Sequence, residues 1–360
     1  MATTEYGVNN ALAVKLWAKK LYVEALKATW ASKFIGDGSD NVIQKKTETN
    51  KSKGDRITIG LRMQLTGFGK QGDDTMEGDE ESLVTYSDNL LINQIRNAVV
   101  SAGKMSEQRV PFSIRDEAMS SLRDWLADTI DAAFINHIAG NTSEADTRRT
   151  GNNATIAPDS THLFSSSADN LGTTEASLSD TTTFALKLAD IDRAVAKAKS
   201  FGRYGDGGSA VPIRPVMVNG EAKYVMFLHP YQVVQLRVNT AVGQWLDIQK
   251  AVVSGGAKTD NPIFDGSLGE YNGVVLHETA RIPVVPSSTT RRRAVLCGAQ
   301  ACSIAFGMDS DNLAGSWQEK TFDYGNKLGV SAGLLYGLKK MQFNSLDFGT
   351  IVVSSYAPQA

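Results

Sequence analysis

An α+β fold is what this sequence predicts, and three patterns carry the prediction. Met119, Leu122, Leu126, Ile130, Phe134 and Ile138 recur at three- and four-residue steps, the spacing that lines apolar side chains along one helical face. Ile57, Ile59, Leu61, Met63 and Leu65 alternate in period two, with Thr58, Arg62 and Gln64 turned the other way, as in a half-buried strand. Farther along, strand-like and helix-like stretches intermix without the regular βαβ repeat of a doubly wound sheet.

At 360 residues the chain can bury a sizeable core and hold two compact units. A formal net charge of −2 gives no global basic field to draw it to nucleic acid or a membrane surface. No apolar run approaches the ~18–20 residues that a spanning helix needs, and the N-terminus lacks an apolar signal core, so no membrane partner is expected. Cys297 and Cys302 have no metal-type spacing and are expected as reduced, buried thiols.

In order along the chain, a basic amphipathic helix is expected from Asn10 to Lys33. Between residues 15 and 33, Lys15, Lys19, Lys20, Lys27 and Lys33 face only Glu24, a local +4. Such a helix either packs on its own domain or docks as an arm on a neighbouring subunit, and Lys15, Lys19, Lys20 and Lys27 are candidate inter-subunit contacts. Residues 52–100 predict one long β-hairpin, Asp55–Leu65 returning as Leu83–Val100. Its tip is glycine-rich, and from Lys70 to Glu81 six carboxylates face one lysine, a local −5. The order of these carboxylates does not match an EF-hand, so no metal site is expected. The stretch reads as a solvated, mobile hairpin tip or, in the sharper alternative, as an acidic tip that meets a basic patch on another copy, with Asp73, Asp74 and Glu77 the candidate contacts.

After Pro111, a helix is expected from Ser113 to Ala139, with Ser113 as its cap and Gly140 as its stop. Roughly 27 residues at about 1.5 Å each give a rod of about 40 Å, a spine for the fold. Arg115, Asp116, Arg123, Asp124, Asp128 and Asp131 are expected on its water-facing side. Residues 141–182 are dominated by Ser, Thr, Asn, Asp and Gly and read as a loop or insertion. A second helix is expected over Thr182–Lys199. The glycines from Gly202 to Gly208 follow that helix and lack the Lys-Ser/Thr of a phosphate loop, so a flexible loop is expected there. A buried-type strand at Tyr224–Leu228 leads through His229-Pro230 into a short helix, with more helix over Gln244–Val253. Gly266–Thr279 predicts a turn into a strand, Arg291–Phe306 a strand-and-helix unit, and the final stretch several strands.

No nucleophile elbow, zinc-helix motif, paired-cysteine motif or dinucleotide fingerprint is present, and no cofactor is expected. His229 and His277 fall at strand ends and could meet in space, so an α+β enzyme with a site near them is the alternative reading. Arg291, Arg292 and Arg293 form a three-charge run, expected to be solvated at a strand entry or used at an interface.

Several stretches resemble the major capsid proteins of tailed phages, most closely the N-four-type capsid family and, through it, the Hong Kong 97 fold. They are Tyr6-Gly-Val-Asn9 with Ala13-Val-Lys-Leu-Trp17, and Gly54-Asp-Arg-Ile-Thr58 with Leu61-Arg-Met63. Ser101-Ala-Gly-Lys-Met-Ser-Glu-Gln-Arg-Val-Pro-Phe112, Phe227-Leu-His-Pro230 and Glu319-Lys-Thr-Phe-Asp-Tyr-Gly-Asn326 complete the set.

The resemblance implies an N-terminal arm at 1–51, an E-loop hairpin at 52–100, and a P-domain with the spine helix and polar insertion at 101–209. An A-domain would span 210–335, and residues 336–360 would return to the P-domain. It implies no catalysis. Copies would assemble as hexamers and pentamers of an icosahedral shell around double-stranded DNA, in the virion capsid, built in the host cytoplasm. Only about 110 residues precede the spine, so a separate scaffold protein is expected, with portal and decoration proteins and weak, non-specific contact with DNA. Lys70 lies near the hairpin tip, but nothing identifies an acceptor for the Lys–Asn crosslink of some relatives.

Overall fold

The long helix forms over Ile114–Ala139 in the computed structural model, which describes residues 21, 23–46, 54–63, 69–78, 80–111, 113–167, 175–181, 183–202, 211–218, 220–238, 267–286, 288–307 and 315–359. Ser113 caps it with extended backbone, its side chain accepting a hydrogen bond from the Asp116 N–H at 3.4 Å. Gly140 ends it in the left-handed region at φ 61°, and a Cβ there would strike Pro158. Met119, Leu122, Leu126, Ile130, Phe134 and Ile138 are all buried. One residue departs from the expected polar face: Asp131 is buried. It lies one turn from Ala127 and Ile135, both buried, so it borders the apolar stripe.

Two sheets pack on this helix. In the first, Lys327–Lys340 is the central strand. It pairs antiparallel with Cys302–Phe306 and Gly315–Phe322 in sequence, and with Asn93–Val100. Ile43–Lys46 and Ile35–Gly36 extend this sheet by parallel pairing. The second sheet runs Leu163–Ser165, Thr350–Tyr356, Arg291–Cys297, Glu221–Leu228, Val274–Glu278, Ser267–Tyr271, with Val216–Val218 beside Glu221–Leu228.

Alternation assigns the two faces of the second sheet. Val225, Phe227, Val275, Val295 and Val352 join the core around the long helix. Met226, Leu228, Leu276, Leu296 and Val353 join a second core under the helices Leu188–Ser200 and Pro230–Val238. A sheet covered on both faces accounts for continuous apolar runs such as Tyr224–Leu228.

The strand pairing corrects several sequence expectations. Among the described residues the Arg56–Arg62 strand pairs only with Thr85–Leu91. At Ile92 the chain leaves the hairpin, and Asn93–Val100 joins the central strand instead, where Ile95 and Val99 pack on the main core. The second helix begins at Leu188, not Thr182, where the Asp190 carboxylate accepts the Lys187 N–H at 3.0 Å. Arg291–Phe306 contains two strands and no helix: Gly298 to Ala301 is a turn that carries the chain from one sheet to the other. Gly266–Thr279 becomes a hairpin, closed by Asn272 and Gly273 with φ of 47° and 71°. Cys302–Phe306, Gly315–Phe322 and Lys327–Lys340 lie in the first sheet and Thr350–Tyr356 in the second. The expected helix over Gln244–Val253 and most of Gly202–Gly208 lie outside the described residues.

Residues 141–167 are largely irregular, as expected, with one short strand at Leu163–Ser165, but much of the segment is packed into the fold. Asn141, Thr150, Asn152, Asn153, His162, Ser165 and Ser166 are buried. The Asn153 amide accepts the Leu91 N–H at 3.0 Å and donates to the Leu91, Gly151 and Leu338 carbonyls at 3.0, 3.0 and 3.2 Å. Asn152, at φ 64°, donates to Tyr336 and Asn93 carbonyls at 2.8 and 3.3 Å. These side chains supply the backbone partners that are missing where the hairpin and the sheet part at Ile92.

Candidate assembly surfaces

The hairpin is buried at its base and bare towards its tip. Ile57, Leu90 and Ile92 pack with Ala305, while Leu61 and Met63 are half-buried and Leu83 and Val84 exposed. A cleft separates Leu61, Met63 and Tyr86 from Phe343, Leu346 and Phe348 of the same chain. A two-stranded ribbon is marginal by itself in water, so its outer half needs cover. Asp73, Asp74 and Glu77 are exposed at the tip, as is Met76.

The arm enters through the turn Trp30–Phe34. Trp30, Phe34, Phe134 and Phe227 pack edge to face, with centroids 5.1–5.5 Å apart for Trp30–Phe34, Trp30–Phe227, Phe34–Phe227 and Phe134–Phe227. Lys33 lies 5.1 Å from the Trp30 ring centroid. Lys27 is exposed on the helical residues 23–28, whereas Lys15, Lys19 and Lys20 lie outside the described residues.

The arginine run does not form a solvated patch. Arg293 is buried, pairs with Glu175 and donates to the Ala139 and Gly140 carbonyls at 2.7 and 2.8 Å. Arg291 donates to Leu178 and Ala176 carbonyls at 3.1 and 2.8 Å. Arg292 donates to the Ile282 carbonyl at 3.0 Å and lies over the Tyr231 ring. The run starts a strand in the middle of the second sheet, so its side chains turn into neighbouring segments of their own chain.

His229 and His277 do not build a site. His277 is fully buried in the aromatic cluster, 5.1 Å from the Phe34 centroid and 6.1 Å from Phe227. His229 stacks on Tyr231 at 4.7 Å and its Nδ1 accepts the Tyr231 N–H at 3.2 Å. Burial, then the nearby Arg292, holds its ring down to about 4, and neutral. Cys297 and Cys302 are free and buried, as expected; burial pushes both thiols up. Among the described residues no three His, Cys, Asp or Glu side chains gather to hold a metal, and no helix is long and apolar enough to cross a membrane.

Sequence reading missed a second exposed surface, at the end of the central strand opposite the hairpin. Val100, Met105, Phe322 and Tyr324 are exposed there, beside Lys104, Arg109, Lys320 and Lys327. The aromatic pair flanking Asp323 in a turn was the available signal, since a loop has no packing need for it.

A spine helix under two sheets, an arm anchored on that helix and a projecting hairpin define a Hong Kong 97-like shell subunit. Residues 5–359 match the family described as phage capsid protein. The major capsid protein of Pseudomonas phage KPP25 is 29% identical over 378 residues, spanning 94% of this chain and 93% of that protein. The capsid of Ralstonia phage GP4 is 31% identical with a TM-score of 0.78, covering 99% of this chain and 96% of the other. The capsid asymmetric unit of cyanophage Pam1 has a TM-score of 0.72 over 100% and 95% of the two chains; at 19% identity the likeness is one of fold. The chain belongs to the phage capsid protein family. Its function is that of a major capsid protein, a structural part of the virion shell.

Proposed function

We propose that copies of this chain tile an icosahedral shell as hexamers and pentamers around packaged double-stranded DNA, each hairpin lapping over an adjacent copy. The observation that carries this is the hairpin's apolar row, sealed at Ile57 and Leu90 and uncovered at Leu83 and Val84. The arm before residue 52 and the hairpin would reach neighbours. The spine helix and first sheet would form the P-domain, and the second sheet with its two covering helices the A-domain. Lys15, Lys19, Lys20 and Lys27 on the arm and Asp73, Asp74 and Glu77 on the tip would make the charged contacts between copies. Assembly would take place in the host cytoplasm with a separate scaffold, a portal and decoration proteins, and the inner surface would touch DNA weakly and without sequence preference.

Electron microscopy of the expressed chain, alone and with its scaffold, tests this directly. Closed, uniform icosahedral particles are the expected result. Charge reversal of Asp73, Asp74 and Glu77 to Lys should lower particle yield and leave the unassembled fold intact; unchanged particles would remove the tip from the mechanism. Each exposed pair contributes about 0.5 kcal/mol and is screened by salt, so the effect comes from repetition over many contacts.

A further inference from the structure

We propose that the outer edge of the Asn93–Val100 strand fits the same strand of a second copy, and that Asn93 and Asn97 hold it shut against that pairing. On this side of the first sheet, among the described residues, no further strand follows. Parity fixes which backbone groups the edge offers. The Asn93 carbonyl accepts the Asn152 amide at 3.3 Å and the Ser101 N–H donates to the Leu328 carbonyl at 2.8 Å, so odd-numbered residues turn their backbone to the body of the fold. These directions alternate along a strand, so Gln94, Arg96, Ala98 and Val100 present theirs outward. The Ile92 N–H, on that same side, donates to the Asp55 carbonyl at 2.7 Å and is the last that the hairpin partner covers.

Such an edge is a template for another strand. Its inner side is paired along all eight residues, from Asn93 opposite Tyr336 to Val100 opposite Gly329, which holds the backbone extended. Ile95, Val99 and Val100 favour that conformation. The two-fold contact open to it is antiparallel pairing centred on Arg96, with Gln94 of each copy opposite Ala98 of the other. The N–H groups of Gln94, Arg96 and Ala98 would carry it.

Two of those donors are already taken. Asn93 Oδ1 accepts the Gln94 N–H at 2.8 Å, and Asn97 Oδ1 accepts the Ala98 N–H at 2.9 Å. Both asparagines are exposed, and their amides serve the backbone beside them rather than the interior. A partner strand must break these bonds and displace the side chains before its own carbonyls can approach. Charge guards the remaining donor. Pairing centred on Arg96 sets this exposed residue against its own copy, and like charges directly opposite destabilise a strand pair. A register shifted by two residues separates the arginines but still needs the Gln94 or the Ala98 donor. The edge therefore matches itself in backbone pattern and is closed by three side chains. What they prevent is sheet-to-sheet association of free copies, whatever contacts the copies make in a shell.

Asn93→Gln with Asn97→Gln in the full chain tests the closure. Gln keeps the polarity but, one methylene longer, places its oxygen past the adjacent N–H. Sedimentation and electron microscopy should show irregular, non-shell species raised about tenfold over wild type, with the melting temperature of the unassembled chain unchanged. Adding Arg96→Thr should raise them further. Asn93→Asp with Asn97→Asp keeps both accepting oxygens and should sediment as wild type does. Hydrogen exchange locates the contact, since the Arg96 amide should become protected in the associated Gln variant. Wild-type sedimentation of the Gln variant would overturn the proposal. So would association that leaves the Arg96 amide as exchangeable as before, or equal association of the Asp variant.

Discussion

Arg293 and Glu175 meet as a two-pronged ion pair in the interior, Nε to Oε1 and the terminal nitrogen to Oε2, both at 2.8 Å. The other prong of the guanidinium reaches the Ala139 and Gly140 carbonyls at the C-terminal end of the spine helix. One side chain thus joins a strand of the second sheet, the helix terminus and the later part of the polar stretch. Burial by itself would raise the Glu175 carboxyl, but the hydrogen bonds and charge of Arg293, with the Ser354 hydroxyl, outweigh it and hold the group below its ordinary value.

Arg293→Ala should therefore destabilise the unassembled chain by about 3–5 kcal/mol, since it leaves the buried Glu175 carboxylate with the Ser354 hydroxyl but no cation and takes a donor from the Ala139 and Gly140 carbonyls. Arg293→Lys keeps the charge but not the fork, and should recover only part of that loss. Urea unfolding of the two variants checks both; equal stability of Ala and wild type would refute the role. Because the Glu175 carboxyl is depressed, its stabilisation is present above the unfolded value of about 4.3 and is lost as pH falls through the lower folded value.

A second acid-labile element is His137. Its Nε2 donates to the Thr150 carbonyl at 2.8 Å, and its Nδ1 accepts the Lys340 N–H at 3.4 Å, an arrangement only one neutral tautomer satisfies. Burial, with Lys340 and Lys339 nearby, lowers it to about 4 despite the Thr150 contact. The folded value lies below the unfolded one, so stability is complete above about 6.5 and falls between there and about 4, by on the order of 3 kcal/mol. Unfolding free energies measured from pH 7 to pH 4 should show this slope in wild type. His137→Gln should start lower at pH 7 and lose less towards pH 4; a parallel curve would assign the slope elsewhere.

The helix and the hairpin strands were legible because each satisfies one period over many residues, and a periodic apolar face has only one place to go. The end of the hairpin at Ile92 was not legible. Asn93–Val100 carries strand-forming residues such as Ile95, Val99 and Val100, and which partner it finds depends on Gly329–Tyr336, more than 200 residues away. The polar stretch after the spine was legible as loop but not as a buried one, because Asn and Thr report hydrogen-bonding capacity, not burial. Asn153 is buried because its amide stands in for a strand's N–H and C=O. Likewise, Arg291–Arg293 looked solvated because sequence gives charge without the carbonyls that absorb it. The acidic tip was legible as an exposed feature; the exposed surface assembled from residues near 104 and near 323 was not.

Asn153→Ala tests the substitute pairing. It removes one acceptor and one multiply shared donor from Leu91, Gly151 and Leu338, and should cost about 2–3 kcal/mol. Asn153→Asp should be worse, because it places a carboxylate oxygen against the Leu91 and Leu338 carbonyls. Hydrogen exchange at the Leu91 amide should rise selectively in both, before global unfolding; an amide still protected would mean that the hairpin is held by its apolar base alone.

The arm's attachment reduces to one carboxylate. Thr29 precedes the Trp30–Phe34 turn without a side-chain cap of its own. Asp131, from the spine helix, takes that part by accepting the Trp30 and Ala31 N–H groups at 3.0 and 2.9 Å. Burial raises the Asp131 carboxyl above its usual value even though both backbone bonds, and Arg281 farther off, favour the anion. With a raised folded value, its ionised form opposes folding at neutral pH, and acidification relieves rather than breaks this contact. The charge is tolerated because two donors with no other partner depend on it. Asp131→Asn keeps one accepting oxygen and should hold the arm, with a loss of about 1 kcal/mol or less. Asp131→Ala strands both N–H groups beside the aromatic cluster and should cost about 2–4 kcal/mol, freeing the arm first. Limited proteolysis should then cut between Thr29 and Phe34 in the Ala variant and spare wild type and Asn. Equal resistance in all three would show that the Trp30–Phe34–Phe227 packing suffices to hold the arm without its cap.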